Sequence, residues 1–384
     1  MFDKIRIIKF NPSNKGEKMG TTEARGSNPK PNHRYSDKPF IAIWEATRAC
    51  DLACVHCRAS AESKPYPGEL NTAQSLDLIR QIAEWQVPLF VITGGDPLKR
   101  QDLNQLIQEC AKREMTFALA PSVTPLLTFE KLKELQKSGL NRVSISIDGA
   151  DALTHDTFRG IPGTFSRCVE TMQWLKDLGM KLQVNTTVSR HNQKQIREIA
   201  GLIKDYAIER WSVFFLVPTG RAEKKQALSA AESEEVLNQL YDLLKDGWFD
   251  IKTTEAHHFR RIILQRSGVR PENLEEAMKN GSKPGLIRAA LGVNDGRGFV
   301  FISHTGEVCP SGFLPIPGGN VKTEPLAEVY QQNEMFKTLR NSDGLKGKCG
   351  RCEYRYHCGG SRARAFALTG DIMGADPFCS YQPA

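Results

Sequence analysis

The sequence lacks long apolar runs and is sparing with aromatic residues. No stretch approaches the roughly 20 consecutive apolar residues that a membrane-spanning helix needs, so we predict no membrane span. The first twenty residues carry charges but not the apolar segment of a secretory signal. Aromatic residues make up only 8% of the chain, and no basic run is interleaved with them, which disfavours a nucleic acid partner. We therefore expect a cytoplasmic protein that does not bind nucleic acid.

Length and composition indicate a globular protein built as one large domain and a smaller one. The chain has 384 residues, of which 40% are hydrophobic and 25% charged. This much apolar material forms a core without disulfides, so the ten cysteines of a protein in a reducing compartment indicate metal or redox chemistry. The net charge of +8 has two interpretations, a soluble surface with a mild positive bias or an anionic partner. Composition alone favours the soluble surface.

Composition divides the chain into four segments. Residues 1–37 are rich in Lys, Gly, Asn, Pro and Ser, which is typical of a flexible leader, and Met19 is an alternative start. Residues 38–250 alternate between strand-like and helix-like patterns. Residues 251–295 read as a bridging segment without that alternation. Residues 296–381 are rich in Gly, Cys and turns, with a β-hairpin predicted over 298–321, and indicate a small domain organised by a metal centre.

The alternation over 38–250 predicts an α/β fold with a parallel sheet covered by helices. Six strand–helix units would form a partial, TIM-like (β/α)6 barrel, followed by the small C-terminal cysteine-rich domain. The predicted strands are 40–47, 89–95, 115–121, 142–148, 181–188 and 210–217. The predicted helices lie near 73–85, 102–113, 128–138, 163–178, 193–206 and 230–246.

Unusual residues follow the predicted strands at the end where such sheets carry chemistry. A loop with three cysteines follows the first strand, GGDP (94–97) follows the second, and APS (120–122) the third. SIDG (146–149) and NTT (185–187) close the fourth and fifth strands. These segments are predicted to converge on one rim, which we interpret as the active site.

Three cysteines in the first loop have the spacing C-x3-C-x2-C: Cys50, Cys54 and Cys57. A closed zinc site needs four ligands, whereas three thiolates on a four-iron cube leave one iron free to bind another molecule. Zinc with a remote fourth ligand and three unrelated thiols are the alternatives. The spacing and context favour a 4Fe–4S cluster.

This motif, placed after the first strand of a partial barrel, resembles the radical S-adenosylmethionine (SAM) superfamily. The resemblance implies that the cluster binds the methionine part of SAM and that reductive cleavage yields a 5′-deoxyadenosyl radical, which abstracts hydrogen from substrate. It also implies an external one-electron donor such as flavodoxin or ferredoxin. Many relatives have an Asn-Gly turn where this chain reads PSVTP (121–125).

The same resemblance assigns candidate SAM-binding residues one by one. His56 matches the position that packs on adenine, and Gly94, Gly95 and Asp96 match a Gly-Gly-Glu stretch whose backbone receives the methionine amino group. Ser146 and Arg159 match residues that hold ribose and carboxylate. The full set of cofactor-binding candidates is His56, Gly94, Gly95, Asp96, Ser146, Arg159, Asn185 and Thr187.

A second cysteine set with the spacing C-x2-C-x5-C-x20-C resembles the SPASM auxiliary domain. The resemblance implies a second, auxiliary 4Fe–4S cluster with four protein ligands, and zinc is the alternative. Ser361 stands where a full SPASM domain has a further cysteine. Cys309 is read as a buried thiol, a remnant ligand or a group facing substrate, and is the one candidate catalytic residue. The ligands of this set are Cys349, Cys352, Cys358 and Cys379.

Within these proteins, PTGRA (218–222), GEVCPSGFLP and CEYRYHCGGSRARAFALTGD most resemble the branch that modifies haem and related tetrapyrroles. The predicted substrate is therefore a tetrapyrrole or haem precursor. A maturase acting on a ribosomal peptide is the alternative enzyme, and a non-enzymatic Fe–S or zinc protein is the alternative of another class. The remaining residues of interest are interpreted as packing or surface groups: Cys110, Cys168, His257 and His258.

Overall fold

The structure is a computed structural model that describes residue 35, residues 37–279, residue 290 and residues 292–383. The predicted leader and the alternative start at Met19 therefore lie almost wholly outside the described residues. All described residues belong to one unit of the chain. No helix in the described part is long and apolar enough to cross a membrane.

The described residues contain one ten-stranded sheet, whose strands we number in chain order. They are β1 Ile41–Glu45, β2 Leu89–Thr93, β3 Phe117–Leu119, β4 Arg142–Ser146, β5 Lys181–Val188, β6 Arg210–Phe215, β7 Asp250–Thr254, β8 Phe299–Ile302, β9 Glu307–Cys309 and β10 Gly319–Asn320. Their order in the sheet is β10-β9-β8-β1-β2-β3-β4-β5-β6-β7. Neighbours from β8 through β1 to β7 are parallel, and the β8–β9 and β9–β10 pairs are antiparallel.

Helices cover this sheet between successive strands, as parallel crossovers require. The helices of the described residues are α1 Thr72–Glu84, α2 Leu103–Lys112, α3 Phe129–Lys137, α4 Ala152–Arg159, α5 Thr164–Asp177, α6 Ile196–Ile203, α7 Ala230–Asp246, α8 Phe259–Ser267, α9 Leu274–Lys279, α10 Leu326–Gln332, α11 Glu334–Arg340, α12 Gly347–Arg351 and α13 Arg362–Thr369.

Hydrophobic periodicity explains how the helices dock on the sheet. Helix α5 buries Cys168, Thr171, Met172 and Leu175, which recur every three or four residues and so form one apolar face. Strand β4 is buried along its centre, as expected for a strand covered on both faces. Cys110 is also fully buried, so the interpretation of Cys110 and Cys168 as core residues is confirmed.

The six predicted strand–helix units are present, with ends that shift by one to a few residues. The predicted hairpin is also confirmed as β8 and β9, and β8 additionally pairs with β1. Several elements were not predicted, among them β7, α4 and the helices from α8 onward. Strand β7 extends the parallel sheet into the stretch read as a bridging segment, and helix α4 lies between β4 and α5. The boundaries of the four segments remain predictions.

His257 and His258 follow β7 and are both buried. His257 Nδ1 is hydrogen-bonded to the Gly360 carbonyl oxygen at 3.0 Å. The packing interpretation of these histidines is therefore confirmed, and the surface interpretation is wrong. The sequence signal was ambiguous because short polar segments after an edge strand do not reveal which later segment covers them.

A wholly buried ion pair holds the cysteine-rich region together. Arg364 Nη1 lies 3.1 Å from Asp376 Oδ2, and both side chains are 0% exposed. Burial alone would raise the pKa of Asp376, but the Arg364 guanidinium holds that pKa well below its usual range. Arg364 also donates to the backbone carbonyl of Glu255, directly after β7. The pair thus ties α13 to the barrel sheet.

Replacement of Arg364 by Met is expected to lower the free energy of unfolding by about 3–5 kcal/mol, because Asp376 is left as an unpaired buried charge. Urea unfolding followed by circular dichroism on anoxic protein measures this. The matched control is Arg266→Met, which breaks the exposed Arg266–Asp242 pair and should cost less than about 1 kcal/mol. Equal losses in the two variants would contradict the assignment.

Candidate active site

The loop that carries the first three cysteines, residues 46–62, lies over the carboxyl end of the sheet. The Cys50 amide donates to the Glu62 carbonyl oxygen at 2.7 Å, which closes the loop on itself. We call this segment the cysteine loop. Cys50 and Cys54 are buried, and Cys57 is half-buried. All three cysteines line one cavity of about 880 Å³, measured with its open mouth.

Each sulfur of this set has a polar neighbour. The amides of Leu52 and Ala61 donate to Cys50 Sγ and Cys57 Sγ, both at 3.4 Å. Arg159 Nη1 lies 3.8 Å from Cys54 Sγ. Hydrogen bonds of this kind stabilise sulfur that carries negative charge, as cluster ligands do.

Burial raises the pKa of the Cys50 and Cys54 thiols. A hydrogen bond with Ser122 partly offsets this increase at Cys50, and the charge of Arg159 partly offsets it at Cys54. Thiols with raised pKa values lose their protons when a metal cation takes the proton's place. These sulfurs are therefore suited to metal ligation and less suited to acting as free nucleophiles.

Gly94 and Gly95 pack directly on the backbone of the cysteine loop. The Gly95 amide donates to the Thr47 carbonyl oxygen at 2.7 Å. A Cβ atom on Gly94 would lie 2.6 Å from the same oxygen, and one on Gly95 would lie 2.4 Å from the Ala49 carbonyl oxygen. Only glycine allows this approach, so the glycine pair both lines the cavity and seats the loop.

Asp96 follows the glycine pair, but its side chain points away from the cavity. The carboxylate accepts hydrogen bonds from Thr124 Oγ1 at 2.9 Å and from the Leu98 amide at 3.1 Å. Burial raises its pKa to about 6. Its backbone amide donates to the Ala49 carbonyl oxygen at 2.6 Å. Asp96 therefore contributes to the site through its backbone and fixes the turn through its side chain.

Two further glycines hold the loop from its other sides. Gly160 ends α4 with φ of +73°, and a Cβ atom there would lie 2.5 Å from the Ala53 carbonyl oxygen. Gly220, with φ of +61°, would place a Cβ atom 2.3 Å from the Cys57 carbonyl oxygen. Glycine is required at both positions by the left-handed backbone and by the close approach.

Arg221 continues this contact with its side chain. Its Nε donates to the Cys54 carbonyl oxygen at 2.9 Å, and its Nη1 donates to the Ala61 carbonyl oxygen at 3.0 Å. Its Nη2 is buried and has no hydrogen-bond partner among the described residues, while the residue lines the cavity. A buried guanidinium N–H group without an acceptor in the protein is suited to donate a hydrogen bond to an anionic or carbonyl group of a bound molecule.

Arg159 is held at the cavity by the buried carboxylate of Asp148. Its Nε donates to Asp148 Oδ2 at 2.6 Å, and Asp148 Oδ1 accepts from the Thr187 amide at 2.6 Å. Burial alone would raise the pKa of Asp148, but Arg159 keeps it below its usual range. The pair is thus charged, and it fixes one guanidinium between Cys54 and the carboxyl ends of β4 and β5.

His56 sits in the cavity wall as a neutral ring. It stacks on Phe158 with ring centroids 3.9 Å apart and planes 9° from parallel. Burial, aided by the charge of Arg159, lowers the pKa of His56 to about 3. Its Nδ1 is buried without a partner among the described residues. The imidazole therefore offers a flat, uncharged surface at the cavity.

The structure brings most of the predicted site together and separates the rest. The predicted cavity-lining residues are Cys50, Cys54, His56, Cys57, Gly94, Gly95, Ser146, Arg159, Asn185 and Thr187. Cys309 is buried in β9 outside this lining, and burial raises its pKa to about 12. That environment matches the buried thiol among the three readings of Cys309.

The second cysteine set forms a separate site. All four cysteines line a cavity of about 370 Å³, together with Arg261 and Lys348. The Asp376 amide donates to Cys349 Sγ and the Gly360 amide donates to Cys358 Sγ, both at 3.4 Å. Burial raises the pKa of the Cys352 and Cys379 thiols, and the backbone amides of Tyr354 and Tyr381 act against this increase. Thiols beside amide donors and two cations suit a group that carries negative charge on sulfur.

Among the described residues, no group of three or more His, Cys, Asp or Glu side chains is arranged as a metal-ion site. For the set of four cysteines, the number of ligands suits either a 4Fe–4S cluster or zinc.

Among the residues that shape the site and were not predicted are Ser122, Asp148 and Arg221. Ser122 Oγ is hydrogen-bonded to Cys50 Sγ at 3.3 Å and donates to the Gly95 carbonyl oxygen at 2.8 Å. Each lies in a segment that closes or follows a predicted strand, namely APS, SIDG and PTGRA. Their roles depend on tertiary contacts: Ser122 and Arg221 contact the cysteine loop, and Asp148 holds Arg159.

Comparison with known proteins identifies the family of this arrangement. The sequence profile of the Radical SAM superfamily matches residues 44–203. The chain is 42% identical over 345 residues to the AdoMet-dependent heme synthase of Nitratidesulfovibrio vulgaris, covering 89% of this chain and 92% of that protein. It is 40% identical over 371 residues to the AdoMet-dependent heme synthase of Oleidesulfovibrio alaskensis, covering 96% and 94% respectively.

The fold is also similar to that of a solved structure. Streptococcus suis SuiB bound to S-adenosylmethionine superposes with a TM-score of 0.68 at 16% identity, covering 90% of this chain and 78% of that one. At this identity the likeness concerns the fold alone.

Replacement of Gly95 by Ala is expected to displace the cysteine loop, because the new methyl group meets the Ala49 carbonyl oxygen and an overpacked contact costs roughly 1–3 kcal/mol. The expected result is loss of SAM binding and of iron in the first site, measured by calorimetry and iron analysis. Gly201→Ala is the control, since a Cβ atom there meets nothing within 4 Å. Normal SAM binding by Gly95→Ala would contradict the seating role.

Proposed function

The chain belongs to the radical SAM superfamily, and on this premise we propose that it converts propionate side chains of a tetrapyrrole by oxidative decarboxylation in haem synthesis. Radical SAM enzymes cleave SAM reductively. The finer assignment, of substrate and of reaction, rests on the relatives named heme synthase and on the charges that line the cavity. The observation that carries it is a row of arginines at the three-cysteine site.

The first cysteine set suits a 4Fe–4S cluster with one open iron. Three sulfurs face one cavity, two of them with backbone amide donors, and the neighbouring residues offer what SAM requires. When reduced, such a cluster with bound SAM supplies a 5′-deoxyadenosyl radical. The chain's own residues orient SAM: Arg159 supplies a cation for its carboxylate, and His56 supplies a flat neutral ring for adenine.

The cavity wall suits an anionic aromatic substrate. Arg58 and Arg221 line it, together with Phe214 and Phe313, and Arg221 Nη2 has no hydrogen-bond partner among the described residues. Guanidinium groups pair with carboxylates through two parallel hydrogen bonds, and phenyl rings pack on flat aromatic surfaces. A porphyrin with propionate side chains offers both kinds of group.

Loss of a hydrogen atom from the β-carbon of a propionate leaves a carbon radical next to the carboxymethyl group. Loss of CO2 and one electron from this radical gives a vinyl group. The electron needs an acceptor. An auxiliary 4Fe–4S cluster would supply that acceptor, and Cys349, Cys352, Cys358 and Cys379 would hold it.

Two features support a cluster in this second set. The four thiols line one cavity, and backbone amides donate to Cys349 Sγ and Cys358 Sγ. Arg261 and Lys348 add positive charge beside it, which favours the reduced state of a cluster. These properties are those of an electron acceptor.

Peptide modification is the second candidate, and the names of the relatives favour the tetrapyrrole over it. A non-enzymatic Fe–S or zinc protein does not fit a chain whose family cleaves SAM and whose cavity adjoins the three-cysteine site.

Anoxically reconstituted full-length protein, given SAM, dithionite and iron-coproporphyrin III, is expected to yield 5′-deoxyadenosine and porphyrins lighter by one formic acid equivalent for each propionate converted. Mass spectrometry measures both products. SAM cleavage without any change in the porphyrin would overturn the tetrapyrrole assignment and favour a peptide.

Replacement of Cys352 by Ala is expected to leave SAM cleavage intact and reduce porphyrin conversion to background, because the substrate electron loses its acceptor. Cys54→Ala should abolish both. The matched control is Cys110→Ala, which removes a buried thiol outside both sets. Full conversion by Cys352→Ala would refute the acceptor role.

A further inference from the structure

A groove lies on the outer face of the cysteine loop, opposite the cavity. Its volume is about 790 Å³ and its lining includes Val55, Phe158, Arg190, His191 and Lys225. We call it the loop groove. Val55 stands between Cys54 and His56, is 39% exposed, and its amide donates to the Phe158 carbonyl oxygen at 3.1 Å. The groove is thus separated from the first cysteine set by the thickness of one backbone segment.

A stack of three rings runs from the cavity to this groove. His56 lines the cavity and stacks on Phe158 at 3.9 Å, and Phe158 stacks on His191 at 5.3 Å with planes 8° apart. His191 is exposed in the groove. The reactive cavity and the protein surface are therefore joined by packed aromatic groups and by the backbone on either side of Val55.

The groove has a positive lining with an apolar border. Arg190 and Lys225 line it, and none of the described residues in the lining is acidic. Arg190 pairs with the half-buried Glu232 at 3.6 Å, and Lys225 pairs with the exposed Glu223 at 2.7 Å. Ion pairs at the protein surface are weak and exchange readily with other partners.

Leu153 adds exposed apolar surface at the edge of the groove. It is 81% exposed and precedes Thr154, whose carbonyl oxygen is hydrogen-bonded to His191 Nε2 at 2.8 Å. A positive surface with an exposed leucine beside it matches a partner that presents carboxylates around an apolar centre.

We propose that the loop groove is the docking surface of a small acidic one-electron carrier protein that reduces the first cluster. In the transfer, a flavin hydroquinone anion on the carrier loses one electron and becomes the neutral semiquinone. A cluster held by Cys50, Cys54 and Cys57 would take up that electron. The inference rests on the radical SAM part of the proposed function and is independent of the tetrapyrrole.

Surface labelling of the wild-type protein tests whether the carrier protein binds at the loop groove. Full-length protein is acylated with an amine-reactive reagent with and without an excess of an acidic flavodoxin, and each lysine is quantified by mass spectrometry. Lys225 is expected to be protected, and Lys133, exposed on α3, is expected to react equally in both samples. Equal labelling of Lys225 in both samples would overturn the proposal.

Charge reversal tests the interaction itself. The double variant Arg190→Glu, Lys225→Glu is expected to bind flavodoxin roughly tenfold more weakly and to lose the salt dependence of binding. Lys133→Glu, Lys137→Glu is the control with the same change in net charge. Equal weakening in the two variants would mean attraction by net charge only and would overturn the assignment of the groove.

Reduction assays separate this proposal from the proposed function. Formation of 5′-deoxyadenosine without a tetrapyrrole is expected to slow in the groove variant with flavodoxin as donor, and to stay unchanged with dithionite, which needs no docking surface. Equal rates with flavodoxin for wild type and variant would refute the docking role. Porphyrin conversion has no part in this readout, so a failed substrate assignment leaves it intact.

Discussion

The site depends on the contact between the backbone of the cysteine loop and three segments that carry glycine. Gly95, Gly160 and Gly220 each approach a loop carbonyl oxygen so closely that a Cβ atom would lie 2.3–2.5 Å from it. The loop is thereby fixed on three sides without using its own sulfurs. The cysteines are left to point into the cavity, where metal ligation can use them.

Buried charge pairs add a second level of order around this contact. Glu45, at the end of β1, accepts from His304 at 2.7 Å and forms an ion pair with Arg58. Burial would raise the pKa of Glu45, but the charge of Arg58 and the hydrogen bond with His304 lower that pKa to about 2. Arg58 also donates to the Gly312 carbonyl oxygen at 3.4 Å. The loop, the first strand and the C-terminal hairpin are thus linked around one carboxylate, and two regions of the chain shape a single cavity.

Much of the fold followed from the sequence because the strands are near-continuous apolar runs and the longer helices have clear periodicity. Strand β7 was missed because its sequence, DIKTT, has a single aliphatic residue, as an edge strand allows. Helix α4, ALTHDTFR, was missed because Thr, Asp and His give a short helix little propensity and no apolar stripe.

The sulfur sets could be predicted because ligand spacing is a local property. The partners of Asp148 and Arg221 could not, because their contacts join segments far apart in the chain.

The central claim is that the three sulfurs of the first set leave one iron of a cube open to SAM. The most direct test is electron–nuclear double resonance on the reduced, anoxically prepared protein, with SAM labelled isotopically at its amino nitrogen. We expect a hyperfine coupling between the label and the cluster in wild-type protein, and none in Cys54→Ala. A wild-type protein with a full complement of iron and bound SAM, but without that coupling, would contradict it.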